Sequence, residues 1–347
     1  MGVTLVQCRN VPPDRISLTR GASPPARQLH GTDEPGNHGI AISRSVARAA
    51  LPCACRPLPS GNILIPAPPP RKAHIGKEAG RRGTRLWTRL AAEQTSGQLK
   101  GTGMDLTGKA VIITGSSSGI GAAVARRLSG LGAGIVVNSA SSAQAGQRIA
   151  AELADAVYVQ GDIGDPATAA ALVAAAVQRW GRLDGLVSNA GVTVDVPLDD
   201  IDAVTADHWD KVLRTNVVGT FLVSQAALPL LRRAGDGWII NITSLAGIRQ
   251  TGSSLPYAVS KAAVGHLTAI MAKYAGGGVR VNAVAPGLVA TPWTEQWHDR
   301  KAGVELVAPL HRVASPEDIA EACLALITTR YATGQTFLVD GGLGLAI

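Results

Sequence analysis

The chain has 347 residues and a formal net charge of +8, and this charge is unevenly distributed. Residues 1–103 hold 15 basic and 5 acidic residues, whereas residues 104–347 hold 18 basic and 20 acidic residues. The basic excess therefore belongs to the first part of the chain and identifies no partner for the rest. No apolar run approaches the ~20 residues of a membrane-spanning helix, and no secretory signal begins the chain, so we expect no membrane association.

Cysteine and histidine are too sparse after residue 103 to build a disulfide or metal framework. Of four cysteines, only Cys323 lies in residues 104–347. A single cysteine favours a reducing compartment, which we take to be the cytoplasm. The seven histidines show no ligand spacing, so we predict no metal site.

Residues 1–103 form a basic, low-complexity segment rich in Pro, Arg and Gly, and we expect it to be a disordered extension. Three interpretations are open: a targeting peptide, an arm that binds nucleic acid, or a stretch translated from a start codon set too early. Acidic residues weaken the first, and the lack of a dense basic run with aromatic residues weakens the second. We favour the third because Met104 stands just before the first predicted strand, and we predict no nucleic-acid partner.

From residue 104 onward, short apolar runs alternate with segments of helical periodicity. Each run is almost continuously apolar, as expected of a strand buried on both faces. Helical spacing is clearest for Ile120, Val124, Leu128 and Leu131. The alternation predicts one α/β domain over residues 104–347, a Rossmann-type doubly wound parallel sheet of about seven strands. The predicted strands are Ala110–Ile113, Ile135–Val137, Val157–Val159, Leu183–Val187, Trp238–Ile242, Val279–Val284 and Thr336–Val339.

A glycine-rich segment, Thr114–Gly121, follows the first strand and opens the first helix. Glycine lets backbone N–H groups approach a pyrophosphate, and the helix N-terminus adds a positive dipole end. Between a strand and a helix, this pattern predicts a dinucleotide site, although taken alone it also fits an ordinary glycine-rich turn. The predicted contacts are Gly115, Ser117, Ser118, Gly119, Ile120 and Gly121.

The residues after the second strand bear on which dinucleotide binds. A carboxylate there would bind the ribose 2′-hydroxyl of NAD and repel the 2′-phosphate of NADP. The sequence instead reads Asn138-Ser139-Ala140-Ser141-Ser142, with Arg148 nearby, which favours NADP over NAD. After the third strand, Asp162 and Ile163 are candidates for contacting the adenine. A solvated serine loop and an acidic turn are the alternatives.

A reactive cluster is indicated by Tyr257 and Lys261, which are four residues apart and share one face of a predicted helix. A free tyrosine has a pKa near ~10, and a nearby ammonium with an oxidised nicotinamide would lower it toward the working range. Ser244 follows the strand Trp238–Ile242, where parallel strands end at the ligand crevice, so its hydroxyl could polarise a carbonyl. A surface Tyr–Lys pair and a capping serine are the alternatives.

Together these features resemble the short-chain dehydrogenase/reductase family, in particular its 3-oxoacyl-[acyl-carrier-protein] reductases and related keto-reductases. The resemblance runs from about Leu106 to Gly342 and implies hydride transfer between a nicotinamide cofactor and a ketone or secondary alcohol. One departure is Ser188, where the family usually has asparagine. The motifs, in order, are Thr114–Gly121, Asp162, Ser188–Gly191, Asn216, Ser244 with Tyr257 and Lys261, and Pro286-Gly287.

The resemblance also implies roles for individual residues. Tyr257 would be the general acid or base, Ser244 would polarise the substrate oxygen, Lys261 would hold the nicotinamide ribose, and Asn216 would anchor a water in a proton relay. It implies a homotetramer or homodimer. Further cofactor contacts would come from Asn189, Ala190, Gly191, Pro286, Gly287 and Thr291.

Residues 288–312 occupy the place of the family's mobile lid. Trp293 and Trp297 lie in it, so we predict an apolar pocket for a hydrophobic or aromatic ketone. In the alternative, the tryptophans pack the lid against the domain or a neighbouring subunit. A non-catalytic dinucleotide-binding sensor or scaffold is the other function considered, and it is disfavoured because all four tetrad positions are filled.

Overall fold

The computed structural model describes residues 104–347; the predicted disorder of residues 1–103 and the interpretations of that segment lie outside the described residues. Within the described part, seven parallel strands form one sheet in the order β3-β2-β1-β4-β5-β6-β7. The strands are β1 (Ala110–Ile113), β2 (Gly134–Ser139), β3 (Ala156–Gln160), β4 (Gly185–Ser188), β5 (Trp238–Ile242), β6 (Arg280–Pro286) and β7 (Thr336–Val339).

Helices connect the strands on both faces of the sheet, which confirms the predicted doubly wound fold. The connections contain one π-helical turn, Arg214–Gly219, and short 3₁₀ turns such as Pro292–Thr294. The helices are α1 (Gly119–Ser129), α2 (Ala143–Glu152), α3 (Pro166–Trp180), α4 (Ala206–Leu213), α5 (Thr220–Ala234), α6 (Leu255–Tyr274), α7 (His298–Val307), α8 (Pro316–Thr328) and α9 (Leu343–Ala346).

The inner strands are mainly apolar because they pack against helices on both faces of the sheet, whereas Thr336 and Phe337 of the edge strand β7 are exposed. Successive residues point to opposite faces. Ile113 and Ile240 pack in the layer that contains α1 and α8, whereas Ile112 and Ile239 pack in the layer that contains α3, α5 and α6. All seven predicted strands are present. Three of them have the predicted bounds, the ends of the other four differ by one or two residues, and Leu131 lies in the turn after α1.

The strand order places the ligand crevice. The chain passes from β1 outward to β2 and β3, then returns to β4 on the other side of β1. Loops that leave β1 and β4 therefore diverge to opposite faces and open a crevice at the carboxyl ends of these strands. In residues 104–347, no helix combines the length and apolar character needed to cross a membrane.

Candidate active site

A cleft of about 830 Å³ opens at the carboxyl ends of the strands. Of the site residues predicted from the sequence, Gly121 and Asn216 are the two that do not line it. In the described part of the chain, no cluster of three or more His, Cys, Asp or Glu side chains could hold a metal ion. The predicted residues that line the cleft are Gly115, Ser117, Ser118, Gly119, Ile120, Asn138, Ser139, Asp162, Ile163, Asn189, Ala190, Gly191, Ser244, Tyr257, Lys261, Pro286, Gly287 and Thr291.

The glycine-rich loop after β1 is locked to the loop after β4. The Thr114 hydroxyl accepts hydrogen bonds from the backbone N–H groups of Asn189 and Ala190, at 3.0 and 3.1 Å. The Asn189 amide donates to the carbonyls of Thr114 and Gly115. Gly115 has φ +61°, and a Cβ there would lie 2.7 Å from the Ala190 Cα. Only glycine therefore fits at this contact.

The same loop offers a cradle that suits a pyrophosphate. Gly119, at the start of α1, has φ +53°, and a Cβ there would lie 3.1 Å from the Thr291 methyl group. Ser118 makes no side-chain capping bond to α1, and the first turn holds no acidic residue. Backbone N–H groups and the positive helix end are thus available to an anion. A dinucleotide fits this cradle, with Gly115, Ser117 and Gly119 as its walls.

Gly121 lies behind the cradle. A Cβ at this position would meet the Gly115 carbonyl and the Asn189 amide, and would lie 2.8 Å from the Ser116 Cα. The residue was predicted to contact the cofactor, but its place in the structure is at the packing contact between α1 and the loop. Because glycine has no side chain, α1 can pack closely against the loop, and this contact preserves the shape of the cradle.

At the end of β2, the side chains of Asn138 and Ser139 are already engaged. Asn138 is buried; its oxygen accepts from the Gly115 N–H, and its amide donates to the carbonyls of Val159 and Gly161, both at 3.1 Å. The Ser139 hydroxyl pairs with the Tyr158 hydroxyl at 2.9 Å. Both residues line the cleft, but their polar groups hydrogen bond to neighbouring strands and loops. The next three residues, Ala140, Ser141 and Ser142, are exposed and form the lip of the cleft.

Asp162 and Ile163 line the cleft beyond β3. One carboxylate oxygen of Asp162 accepts from the Gly164 N–H at 2.8 Å, which fixes the turn. Ile163 is buried, and its side chain lies 2.7 Å from where a Cβ on Gly219 would stand. These residues therefore form a small, rigid corner of the cleft on the β3 side.

The helix that carries Tyr257 starts at a cluster of hydroxyl groups that the sequence analysis missed. Ser254 caps α6 and accepts from the Tyr257 backbone N–H at 3.4 Å. Thr193, on the loop after β4, hydrogen bonds to Ser254 at 3.2 Å and to Ser253 at 2.7 Å. A serine followed by Pro256 in the first helical turn is a recognised start signal and could have identified this cap.

Tyr257 and Lys261 both lie in the cleft, with the lysine Nζ 5.6 Å from the centre of the tyrosine ring. Lys261 is buried and donates to the Ile242 carbonyl at 2.9 Å. Burial lowers the pKa of Lys261 to about 8, because the charged form loses its hydration.

For the tyrosine, burial raises the pKa of Tyr257 to about 12, and the Ser244 hydroxyl beside the phenol offsets part of this rise. The sequence predicts that the lysine, together with an oxidised nicotinamide, lowers this pKa. In the protein alone desolvation of the phenolate raises it, and the lowering with the cofactor bound stays a prediction. The phenol is consequently protonated at neutral pH, which is the form needed to donate a proton.

Asn216 braces the site from behind the cleft wall. It lies in the π-helical turn, where its oxygen accepts from the Val192 N–H at 2.7 Å and its amide donates to the Val192 carbonyl and the Ser260 hydroxyl, both at 2.9 Å. Ser260 in turn donates to the Tyr257 carbonyl. A Cβ on Gly191 would lie 3.3 Å from both the Asn216 oxygen and the Lys261 Nζ. Asn216 thus links the β4 loop to the helix of Tyr257.

The segment predicted as a lid forms one wall of the cleft. The Trp293 ring stands edge-on to the Tyr257 ring, with centroids 6.0 Å apart and an interplanar angle of 87°. Trp297 also lines the cleft, and the Arg300 guanidinium lies 4.7 Å from its ring centroid. The tryptophans therefore face the space next to the phenol.

The chain is similar in sequence and fold to known reductases. A family model described as enoyl-(acyl carrier protein) reductase matches residues 115–344. The granaticin polyketide synthase putative ketoacyl reductase 2 of Streptomyces violaceoruber is 48% identical over 237 residues, covering 67% of this chain and 95% of that protein. A 3-oxoacyl-[acyl-carrier-protein] reductase of Synechocystis is 37% identical, covering 69% and 98%. The crystal structure of a putative short-chain dehydrogenase/reductase from Burkholderia xenovorans aligns with a TM-score of 0.65 at 33% identity, covering 70% and 100%.

Proposed function

Because the chain belongs to the short-chain dehydrogenase/reductase family, we propose that it reduces a hydrophobic ketone with NADPH, using Tyr257 as the proton donor. Its general activity is NAD(P)-dependent transfer of hydride between a nicotinamide and a ketone or secondary alcohol. One observation carries the proposal: Ser244, Tyr257 and Lys261 share a single cleft with the glycine cradle. The alternative of a non-catalytic sensor gains no support, because the relatives named are reductases and dehydrogenases.

The residues of this chain supply the proton and hold the oxygen. The bound cofactor supplies the hydride, which would add to the carbonyl carbon as the C=O π bond breaks. A carbonyl oxygen between the Ser244 and Tyr257 hydroxyls would accept hydrogen bonds from both. Tyr257 would then transfer its phenolic proton to the oxygen, leaving a phenolate and an alcohol. The Lys261 ammonium would stabilise that phenolate.

The choice of NADPH is supported by the lip at the end of β2. No carboxylate stands there to repel a 2′-phosphate: Ala140, Ser141 and Ser142 are exposed and line the cleft. The first turn of α2 carries no acidic residue, and Arg148 is exposed on that helix. The hydroxyl groups at the cleft and the positive helix end suit a phosphate better than a bare ribose, and Arg148, which does not line the cleft, adds a positive charge on the same helix.

The apolar character of the substrate is supported by the lid side of the cleft. Trp293, Trp297, Val304 and Val307 line it, and Val304 packs against the cluster that contains Leu245. Aromatic walls next to the reacting phenol favour a flat, hydrophobic ketone over a small polar one.

The activity is tested by following NADPH and NADH oxidation against a panel of ketones that runs from small and polar to bicyclic and aromatic. We expect faster turnover with NADPH and with the hydrophobic members. Equal rates across the panel would contradict the substrate proposal, and a preference for NADH would contradict the cofactor proposal.

The proposal includes a homodimer or homotetramer in the cytoplasm. Helix α6 exposes Val259, Ile270 and Tyr274 on one face, and Phe221 of α5 is also exposed. Exposed apolar side chains of this kind suit contact with a second subunit. Light scattering would show a mass of two or four chains, and a monomer would contradict this part. For the compartment, the support is that Cys323 is free and buried.

A further inference from the structure

Helix α7 (His298–Val307) lies in the segment predicted as a lid. The face that it turns toward the cleft includes the cationic side chain of Arg300. Arg300, Gly303, Val304 and Val307 all line the cleft, at the spacing of a single helical stripe. Arg300 is the charged member of this stripe, since the other three residues are a glycine and two valines. The neighbouring Lys301 does not line the cleft, and its ammonium donates to the Glu295 carbonyl instead.

Arg300 is exposed and lies over the Trp297 ring, and its hydrogen-bond donors remain available. Its guanidinium lies 4.7 Å from the centre of the Trp297 ring. Stacking uses the flat face and leaves the N–H donors at the edge open. In the described part of the chain, Arg300 forms no salt bridge. Five other arginines there each pair with a carboxylate: Arg126, Arg127, Arg179, Arg182 and Arg312.

The other charged side chains that line the cleft differ from Arg300 in charge or in position. Lys261 donates to the Ile242 carbonyl, and Asp162 accepts from the Gly164 N–H. Asp199 is exposed and forms no salt bridge within residues 104–347. Arg300 is therefore the cation that stands among the apolar side chains of the substrate wall. Arg300 is exposed on the lining of the cleft with its guanidinium against an aromatic ring, so a ligand in the cleft can reach its N–H donors.

We propose that Arg300 is a specificity residue that binds an oxyanion on the end of the substrate remote from its ketone. The oxyanion is a carboxylate or a phosphate, both of which match the planar fork of a guanidinium. It would come either from a free keto acid or from a carrier arm that ends in a phosphate. This inference rests on the proposed function, because it places the ketone beside Tyr257 and the anion beside Arg300.

The test compares matched ligands in two matched variants. Arg300→Ala removes the proposed contact, and Lys301→Ala removes the same charge from the same helix outside the cleft. One ligand pair is an aromatic keto acid and its methyl ester; the other is a 3-oxoacyl thioester of pantetheine and of 4′-phosphopantetheine. Affinity is measured by tryptophan fluorescence with the cofactor bound, and turnover is measured separately.

We expect Arg300→Ala to weaken the anionic member of at least one pair roughly tenfold or more, in both Kd and KM, with kcat nearly unchanged. The neutral member and the Lys301→Ala variant would bind as in the parent. The pair that responds identifies the anion as a carboxylate or a carrier phosphate.

Three results would overturn the proposal. Equal losses for neutral and anionic ligands, or no loss for either, would remove the anion contact. A weaker Kd for NADPH in Arg300→Ala would make the residue a cofactor contact. Asp199→Asn is a third variant: if it weakens the binding of neutral ketones as much as Arg300→Ala does, Arg300 acts by pairing with Asp199 and not by binding the substrate. Affinity and turnover are measured independently. A parent protein that binds these ligands but reduces none of them would therefore contradict the proposed function, while the affinities would still test whether Arg300 binds the anion.

Discussion

Lys261 places an ammonium group where it is almost inaccessible to solvent. Its side chain is buried, with a single protein hydrogen bond, to the Ile242 carbonyl. Burial lowers the pKa of Lys261 to about 8 from 10.5. A difference of that size corresponds to roughly 3 kcal/mol against the charged form. The position that suits the lysine for stabilising a phenolate therefore lowers the stability of the folded protein.

This predicts that Lys261→Met is more stable than the parent at pH 7, by about 1–2 kcal/mol once the lost hydrogen bond is included. The native pKa lies below the unfolded one, so the unfolded chain binds more protons between about pH 8 and 10.5. Parent stability should rise with pH through that window, and the difference from the variant should shrink. Urea unfolding of both proteins at pH 7 and pH 10 measures this. If the variant is less stable than the parent at pH 7, the buried ammonium does not destabilise the folded protein.

Ala140 offers a single position at which to test the choice of cofactor. It is exposed at the lip after β2 and lines the cleft. Ala140→Asp would place a carboxylate where a 2′-phosphate is proposed, so the KM for NADPH should rise about tenfold and that for NADH should not. Ala140→Asn, equal in size and uncharged, is the control. An unchanged KM for NADPH in the aspartate variant would count against NADP.

At the scale of elements, the loop between β1 and α1 depends on one close contact. Gly115 and Gly108 both have positive φ, +61° and +75°. A Cβ on Gly115 would lie 2.7 Å from the Ala190 Cα, whereas one on Gly108 would meet nothing within 4 Å. The two glycines therefore separate backbone strain from steric contact.

We predict that Gly108→Ala costs about 1 kcal/mol of stability through backbone strain alone. Gly115→Ala should cost about 1–3 kcal/mol more and should also lose NADPH binding, because the cradle must shift. Urea unfolding and NADPH fluorescence titration measure the two effects. Equal losses in the two variants, with NADPH binding retained, would show that the contact with Ala190 is unimportant.

The strands could be predicted from the sequence, whereas the use made of individual polar side chains could not. Strands buried on both faces read as continuous apolar runs, so all seven were found, but polar ends such as Asn138 and Ser139 of β2 were left out. These two residues were assigned to the cofactor by position. Their hydrogen bonds to the turn after β3 and to Tyr158 depend on strand pairing, which local sequence does not contain.

The catalytic residues show the same limit. Spacing placed Tyr257 and Lys261 on one helix face, and the structure brings both into the cleft with Ser244. The raised tyrosine pKa of the protein alone could not be predicted, because it depends on how the folded chain desolvates the phenol. The brace from Asn216 through Ser260 was also missed, since it joins segments more than 40 residues apart.

At the scale of the whole molecule, the net charge of +8 combines a basic segment of residues 1–103 with a slightly acidic remainder. The described residues contain a seven-stranded sheet and the cleft. We propose that residues 104–347 are the functional unit, and that the basic segment takes no part in catalysis or nucleic-acid binding.

A chain that begins at Met104 should accordingly keep the kcat/KM of the full chain for NADPH and the same ketone. The full chain should also fail to shift nonspecific DNA at low salt, where charge-driven binding is strongest. Steady-state kinetics and a gel-shift titration measure these two quantities. A salt-dependent shift by the full chain but not the shorter one would instead identify residues 1–103 as a nucleic-acid arm.

We propose above all that the Tyr257 phenol donates the proton in an NADPH-dependent ketone reduction. The most direct measurement is ketone-dependent NADPH oxidation by Tyr257→Phe beside the parent, with the NADPH affinity of both determined by fluorescence. Phenylalanine keeps the ring against Trp293 and removes only the hydroxyl, so turnover should fall at least about 100-fold with NADPH affinity preserved. Turnover within a few-fold of the parent would contradict the account.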